Sequence, residues 1–242
     1  MATAPTPFAL PDPVLRRASV VGPVVAIGAL TVQEIARHDL SPVADAISAY
    51  GIGAYASVQT IALWALAIGS LALALRLASA GDGAPLRVGA ALIAVWGCGV
   101  ALMTVINIDD GPLPTAGSVH ETIATLSFVI ATAAIVCVTE VCFRSRVWTR
   151  LVSTGWIVAA VGALGAAAMT EDSTWFGLTE RVLAVTIVCW LVAVGRTVWA
   201  HGELRGDLAA DQLGGPAPSL IVASCCLPDE SSQRMLTRSP GR

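Results

Sequence analysis

Long runs of apolar residues, separated by short polar segments, dominate the pattern along this chain. Six runs have about the 20 apolar residues that a helix needs to cross a bilayer. Their approximate bounds are 18–36, 56–78, 86–106, 119–143, 151–169 and 178–200. Each run is apolar on all sides rather than on one face, which argues against a helix on a soluble core. The pattern therefore predicts an all-α polytopic membrane bundle of six transmembrane helices.

Polar segments flank this predicted helical domain at both ends. Residues 1–17 are predicted to form a cytoplasmic N-terminal segment, and residues 18–200 the six-helix transmembrane domain. Beyond His201 the apolar pattern ends, and the chain contains Gly214-Gly215-Pro216 and many polar side chains. That composition predicts that residues 201–242 form a cytoplasmic, largely disordered tail.

Composition agrees with a membrane protein. Hydrophobic residues make up 55% of the chain, and the mean hydropathy is +0.74. Charged residues make up only 13%, against about 25% in an ordinary soluble domain. These values exclude a disordered chain and argue against a soluble globule. The net charge of −3 also argues against a nucleic-acid partner, because such proteins present a strongly basic surface.

The positions of the arginines predict the orientation in the membrane. If the N-terminus is cytoplasmic, 12 of the 14 basic residues, all of them arginines, lie on inner segments. Only Arg37 and Arg181 then lie on outer segments, so the positive-inside rule places both termini in the cytoplasm. Nine of the 17 acidic residues fall outside, which gives about −7 outside and +4 inside. We therefore expect a plasma-membrane protein with an acidic outer face.

The longest predicted outer connection spans residues 37–55. Ser41 suits a helix N-cap and the proline after it suits the first helical position, so a short surface helix is predicted over 42–50. Tyr50 and Tyr55 are predicted to lie at the membrane interface, where tyrosine is enriched.

The next outer connection contains a turn followed by a helix start. Asp109-Asp110-Gly111-Pro112 has the composition of a turn. Ser118 and Glu121 have the spacing of a capping box, which predicts that the fourth span begins at Ser118 with His120 in its first turn.

Histidines and carboxylates at the predicted outer helix ends suggest a metal site. His38, Asp109 and His120 offer imidazole and carboxylate groups, which are usable ligands for a divalent metal such as zinc. The positive end of the helix dipole near His120 favours the neutral imidazole, the form that binds metal. One hypothesis is therefore a metal-dependent hydrolase that acts on lipid at the outer leaflet, with Ser48 or Glu121 as its catalytic residue.

Local structure offers a second interpretation of the same polar residues. The capping box accounts for Glu121, the turn accounts for Asp109, and Glu34 is placed to pair with Arg37 or His38. The chain has no HExxH sequence, so the structural interpretation is favoured over a catalytic one. A haem site is disfavoured because His38 and His120 supply at most one ligand pair.

Two functions without catalysis remain open. A small-solute transporter usually has broken helices and polar groups near the membrane centre, and Gly97-Cys98-Gly99 is the best candidate for a break. A structural protein that contacts lipid or a membrane partner needs neither feature. We expect the latter role, with membrane lipid as a partner.

Three short motifs resemble a known family. Ile47-Ser48-Ala49-Tyr50-Gly51 is similar to an I-S-x-Y segment of the bacterial membrane proteins grouped as domain of unknown function 998. Asp109-Asp110-Gly111, followed by Gly117 and His120, resembles that family's aspartate loop and its G-x-x-H. Gly177-Leu178-Thr179-Glu180-Arg181 resembles its G-L-x-E-R at the start of the last helix. The resemblance covers about residues 18–200 and implies a six-helix integral membrane protein without established catalytic residues. Asn107-Ile108 departs from the Phe-Pro-like pair expected there.

Reporter fusions test the predicted orientation. A topology reporter fused after residue 82 is expected to signal from the cytoplasm, and one fused after residue 111 from the outer side, because the arginine bias fixes the direction of insertion. An outer signal from the fusion at residue 82 would overturn this orientation.

Overall fold

A computed structural model describes residues 12–80, 84–106, 115–145, 150–168 and 174–212 of the chain. These residues form six α-helices and one short 3-10 helix, Ile47–Gly51, without any strand in the described ranges. The α-helices are α1 (Asp12–Ala36), α2 (Ala56–Ala80), α3 (Ala84–Met103), α4 (Thr115–Ser145), α5 (Arg150–Ala168) and α6 (Phe176–Gln212). The all-α prediction is confirmed.

Five of these helices are long and apolar enough to cross a membrane, judged by length and composition over the described residues. They are α1, α2, α3, α4 and α6; the longest of their apolar segments is Val119–Arg144 in α4. The apolar segment of α5 is shorter, Leu151–Gly165. The six predicted runs therefore all correspond to helices.

Helices that follow one another in the chain pack side by side, from α1 with α2 through to α4 with α5. Their shared core is built from aliphatic and aromatic side chains of α2 to α6. Leu73, Ile93, Ile135 and Trp190, from four different helices, are each at most 2% exposed. Large apolar side chains such as Ile61 and Ile157 face outward instead, as expected where lipid tails replace water.

Small residues allow α1 and α2 to approach closely. A Cβ added to Gly22 would collide with the backbone oxygen of Ala65, and one added to Gly69 would lie 2.5 Å from Cδ of Pro23. Because lipid tails are as apolar as the helices, close backbone contact of this kind is a main source of helix association in a bilayer. The α1–α2 crossing therefore depends on glycine at both positions.

Three local predictions differ from the structure. The helix α3 runs unbroken through Gly97 and Gly99, which pack against α2 and against Ser127 of α4 instead of breaking the helix. The helix α4 begins at Thr115, so Ser118 lies inside the helix rather than at its N-cap.

The predicted surface helix over 42–50 is reduced to a single turn and the 3-10 helix. Ser41 does cap that turn, because its hydroxyl accepts a hydrogen bond from the amide of Ala44. The chain then leaves the helical path at Ala46, which is extended, and this turns the following residues toward α6.

At the end of the bundle where α1 begins, an ion pair joins two helices. Asp12 binds Arg16 on its own helix and Arg76 of α2, at 3.3 Å for the second pair. Arg76 is buried, and it also donates a hydrogen bond to the carbonyl oxygen of Val198 in α6. This arginine thus connects α1, α2 and α6.

The chain divides into two compact units, residues 1–202 and 203–242. The described part of the second unit, residues 203–212, is helical. Residues 213–242 lie outside the described ranges, so the predicted disorder of the tail stays a prediction.

Replacement of Gly22 by alanine tests the close crossing of α1 and α2. The added methyl group has no room against the backbone of Ala65, so we expect a loss of about 1–3 kcal/mol of stability, typical of overpacking. In a chain of this size that loss lowers the unfolding midpoint in detergent by about 2–4 °C per kcal/mol.

The matched control is Gly28→Ala on the same helix, where an added Cβ meets nothing within 4 Å. Alanine favours the helix over glycine, so this variant is expected to keep or slightly raise the midpoint. Equal midpoints for the two variants would contradict the role of Gly22.

Candidate functional site

The connection between α1 and α2, residues 37–55, covers one end of the bundle; we call this connection the cap and this end the loop end. The side chain of Arg181 in the first turns of α6 holds the cap by several bonds. Its guanidinium pairs with Glu34 of α1 at 2.5 Å and donates to the carbonyl oxygen of Asp45 at 2.6 Å. It also donates to the hydroxyl of Tyr50 at 3.0 Å. One buried arginine therefore connects α6, α1 and the cap.

Backbone groups of the cap complete its attachment. A carboxylate oxygen of Glu180 accepts a hydrogen bond from the amide of Ile47 at 2.6 Å. The amide of Leu178 donates to the carbonyl oxygen of Val43 at 3.0 Å. At the α2 end of the cap, the side-chain amide of the fully buried Gln33 donates to the carbonyl oxygen of Tyr55 at 3.2 Å. We call Gln33, Glu34, Glu180 and Arg181 the latch.

Glycine is required where α6 meets the cap. A Cβ at Gly177 would collide with the backbone oxygen of Asp45. The same position brings the carbonyl oxygen of Gly177 within 3.0 Å of the Arg181 guanidinium. Gly53, with a φ of 83°, provides a left-handed turn before α2 that other residues rarely adopt.

Tyr50 is a residue of the cap whose side chain is fully buried in the protein, so the prediction that it contacts the membrane interface was wrong. Its ring centroid lies 5.3 Å from the Arg181 guanidinium, within the range of a cation–π contact. Burial, assisted by the nearby Glu34 carboxylate, raises the pKa of the Tyr50 phenol. The phenol therefore stays neutral near neutral pH, and its oxygen accepts the hydrogen bond from Arg181.

The exposed part of the cap has its own ion pair. Arg37 pairs with Asp39 at 2.8 Å and donates to the carbonyl oxygen of Ile52 at 2.7 Å. The hydrogen bond from Arg37 lowers the pKa of the Asp39 carboxyl, and the same bond raises the pKa of Arg37. Sequence spacing had suggested Arg37 or His38 as the partner of Glu34. That prediction was wrong, because Glu34 pairs with Arg181, which lies 147 positions away.

A cavity of about 230 Å³ lies beneath the cap. Its walls come from the loop-end halves of α1, α2, α3, α4 and α6, and part of the cap, including Ile47, Ser48 and Ile52, contributes to the lining. Most of the wall is apolar, with Leu63, Trp96 and Phe128 among the larger side chains.

Four buried polar side chains interrupt this apolar wall: Gln59, His120, Ser127 and Glu180. Gln59 is 6% exposed and Ser127 is 4% exposed, and neither side chain has a hydrogen-bond partner within the described part of the chain. Glu180 uses one oxygen for the amide of Ile47. A buried polar group costs free energy unless it is hydrogen-bonded, so these groups are suited to bind a polar atom inside the cavity.

His120 enters the cavity with a defined hydrogen-bonding role. Its Nδ1 lies 2.7 Å from the carbonyl oxygen of Ile106. A carbonyl oxygen only accepts, so Nδ1 carries a proton in this contact, and the neutral form of such a ring has Nε2 as an acceptor. The histidine thus presents the same kind of group as the Glu180 carboxylate.

The structure places the predicted site residues in different surroundings. His120 is buried in the cavity wall and Ser48 is half-buried in it, whereas His38 and Glu121 are exposed. Asp109 lies outside the described residues. Among the residues that are described, no three His, Cys, Asp or Glu side chains are grouped to hold a metal ion. The metal site of His38, Asp109 and His120 and the hydrolase hypothesis stay predictions.

A family model described as "Protein of unknown function (DUF998)" matches residues 20–197, most of the chain. The chain belongs to the DUF998 family. The match includes all of the latch and all of the cavity wall, so both are features of the DUF998 region. No curated protein and no solved structure matches this DUF998 chain.

The Arg181→Gln variant tests the latch. Breaking a buried ion pair leaves an uncompensated charge and costs about 3–5 kcal/mol of stability. We expect this loss to destabilise the cap locally. We expect hydrogen exchange of the amides over 43–50 to accelerate by at least about tenfold, measured by mass spectrometry. The amide of Ile47 is the most informative because Glu180 accepts its hydrogen bond.

The control is Arg196→Gln on the exposed side of the same helix. This variant removes the same charge far from the cap and is expected to leave exchange over 43–50 unchanged. Equal acceleration in both variants, or in neither, would contradict the role assigned to Arg181.

Proposed function

We propose that this DUF998 protein binds a small amphipathic molecule in the cavity beneath the cap. The observation that carries the proposal is the presence of buried, unpaired polar groups in an otherwise apolar wall. Within the described residues the side chains of Gln59 and Ser127 have no partner, so a polar atom in the cavity would supply one, while the apolar side chains around them favour a hydrocarbon part. Apolar walls with a few convergent polar groups are the usual form of a small-molecule site.

The size of the cavity limits its ligand. An apolar cavity of about 150 Å³ accommodates benzene, so a volume of about 230 Å³ accommodates roughly nine non-hydrogen atoms. This corresponds to a short alkyl chain with one polar group, or to the terminal part of a larger lipid.

The bilayer is a natural source of such a molecule. Exposed apolar side chains cover the outside of the bundle, and five helices are long enough to span a membrane within the described residues. We propose that the protein is a multi-pass component of a bacterial plasma membrane, with both termini cytoplasmic and the cap on the outer side. The arginine distribution supports this orientation.

Binding rather than transport is the proposed activity. The cap is joined to α1 and α6 by buried hydrogen bonds and an ion pair. The one helix break that the sequence suggested is absent, because α3 is continuous from Ala84 to Met103.

Photolabelling with a diazirine-bearing alkanol tests the proposed binding site. The protein is reconstituted in phosphatidylcholine vesicles, photolysed with the probe, and mapped by mass spectrometry. We expect labelled residues in the cavity-lining stretches 59–66 of α2, 120–128 of α4 and 180–188 of α6. Unlabelled n-hexanol is expected to reduce this labelling in a saturable manner.

Ala124→Phe fills the cavity from α4 and is expected to reduce its labelling at least about fivefold, because the aromatic ring takes the ligand's space. The control Ala91→Phe adds the same ring on the exposed side of α3 and is expected to leave labelling intact. Labelling that is diffuse along the lipid-facing helices, insensitive to Ala124→Phe and not saturable would refute the proposal.

A further inference from the structure

We propose that the cavity selects an amphipathic molecule whose polar head is a primary ammonium group. This inference rests on the proposed ligand-binding function and names the chemical class of the ligand. The juxtaposition that carries it is a buried carboxylate, a histidine acceptor and two unpaired polar side chains, Gln59 and Ser127, in one apolar cavity.

The ionisable groups of the cavity wall are unbalanced in charge. Glu180 and His120 are the ionisable side chains among its lining residues, and neither lysine nor arginine belongs to the described lining. Arg181 follows Glu180 in sequence, but its guanidinium binds Glu34, Tyr50 and carbonyl oxygens of the chain. The cavity therefore contains a buried carboxylate without an ion-pair partner in its own wall.

The free hydrogen-bonding positions include four acceptors, alongside the N–H groups of Gln59 and the hydroxyl hydrogen of Ser127 as donors. Only one oxygen of Glu180 is used, by the amide of Ile47, and the other has no donor within the described ranges. Because Nδ1 donates to Ile106, Nε2 of His120 is the acceptor in the neutral form of the ring. Gln59 and Ser127 each add an oxygen that accepts. An ammonium group with three N–H donors complements this arrangement.

The match does not depend on which partner carries the proton. An amine and a carboxyl group share one proton, so a charged pair and a neutral pair both satisfy Glu180. Burial strengthens the attraction of such a pair because the surroundings have a low dielectric constant. Trp96 and Phe128 add aromatic rings to the same wall, and aromatic faces attract cations.

Other head groups fit less well. A hydroxyl donates one hydrogen bond and leaves the carboxylate without a counter-charge. A carboxylate head would be repelled by Glu180, and its desolvation would not be compensated.

The ammonium group can come from two sources. One is a free alkylamine small enough to fit within the cavity volume. The other is the head group of a bilayer lipid such as phosphatidylethanolamine, of which the cavity would hold only the end. The chemistry of recognition is the same, and the experiment separates the sources.

Competition against the diazirine alkanol measures head-group preference. The competitors n-hexylamine, n-hexanol and hexanoate are compared in phosphatidylcholine vesicles. The amount of each that is added is adjusted so that its concentration in the membrane is the same. We expect n-hexylamine to compete at least about tenfold more strongly than n-hexanol, with hexanoate weakest, because a charge-assisted bond is stronger than a neutral one. A repeat with phosphatidylethanolamine vesicles identifies the source. Reduced labelling there indicates the lipid head group, and unchanged labelling indicates a free amine.

Glu180→Gln removes the carboxylate with little change of shape and keeps an oxygen for the amide of Ile47. We expect the amine preference to fall to within about twofold of the alcohol, and the unfolding midpoint in detergent is the separate check that the variant is folded. The control Glu140→Gln alters a carboxylate that pairs with Arg144 outside the cavity, and it is expected to keep the preference.

Equal competition by the three compounds in the wild-type protein would overturn the inference, and this result needs no variant. Saturable alkanol labelling would still stand in that case, so the proposed binding function would survive. Absence of saturable labelling would instead refute both.

Discussion

The ion pair between Arg181 and Glu34 is the interaction on which the loop end of this protein depends. It joins residues that lie 147 positions apart, and the side chain of Arg181 is only 10% exposed. A charge in such a place is costly unless it is paired and hydrogen-bonded. Arg181 meets that condition by binding the Glu34 carboxylate, the Tyr50 hydroxyl and two backbone carbonyls. The position of the cap therefore follows from the need to satisfy one buried guanidinium.

The two acidic residues of the latch show how neighbours in space acquire different roles. Glu34 has an arginine partner, so its charge is neutralised. Glu180 binds a backbone amide instead and faces the cavity. The latch thus has one carboxylate that is paired with an arginine and a second carboxylate that lines the cavity. Glu34 comes from the last turn of α1 and Glu180 from the first turns of α6.

Sequence patterns predicted the helices well because hydrophobicity in a membrane protein extends over whole helices. The local pairs were predicted less well. Spacing along α1 suggested Arg37 or His38 as the partner of Glu34, but the actual partner comes from α6. Gln59 and Ser127 carried no sequence signal beyond being polar within a span, since their importance arises from which helices surround them. The conspicuous signals were the motif Gly177 to Arg181 and the segment Ile47 to Gly51, which meet in space at the latch.

The cap is held largely through its main chain. Arg181, Glu180, Gln33 and the amide of Leu178 all bind backbone atoms of the cap, at Asp45, Ile47, Tyr55 and Val43. Main-chain atoms are the same in every amino acid, so attachment of the cap places little demand on most of its side chains. The bonds that attach the cap therefore do not use the side chains of Ser48 and Ile52, which border the cavity. A substitution at either position changes the cavity wall, while the hydrogen bonds to the main chain of the cap persist.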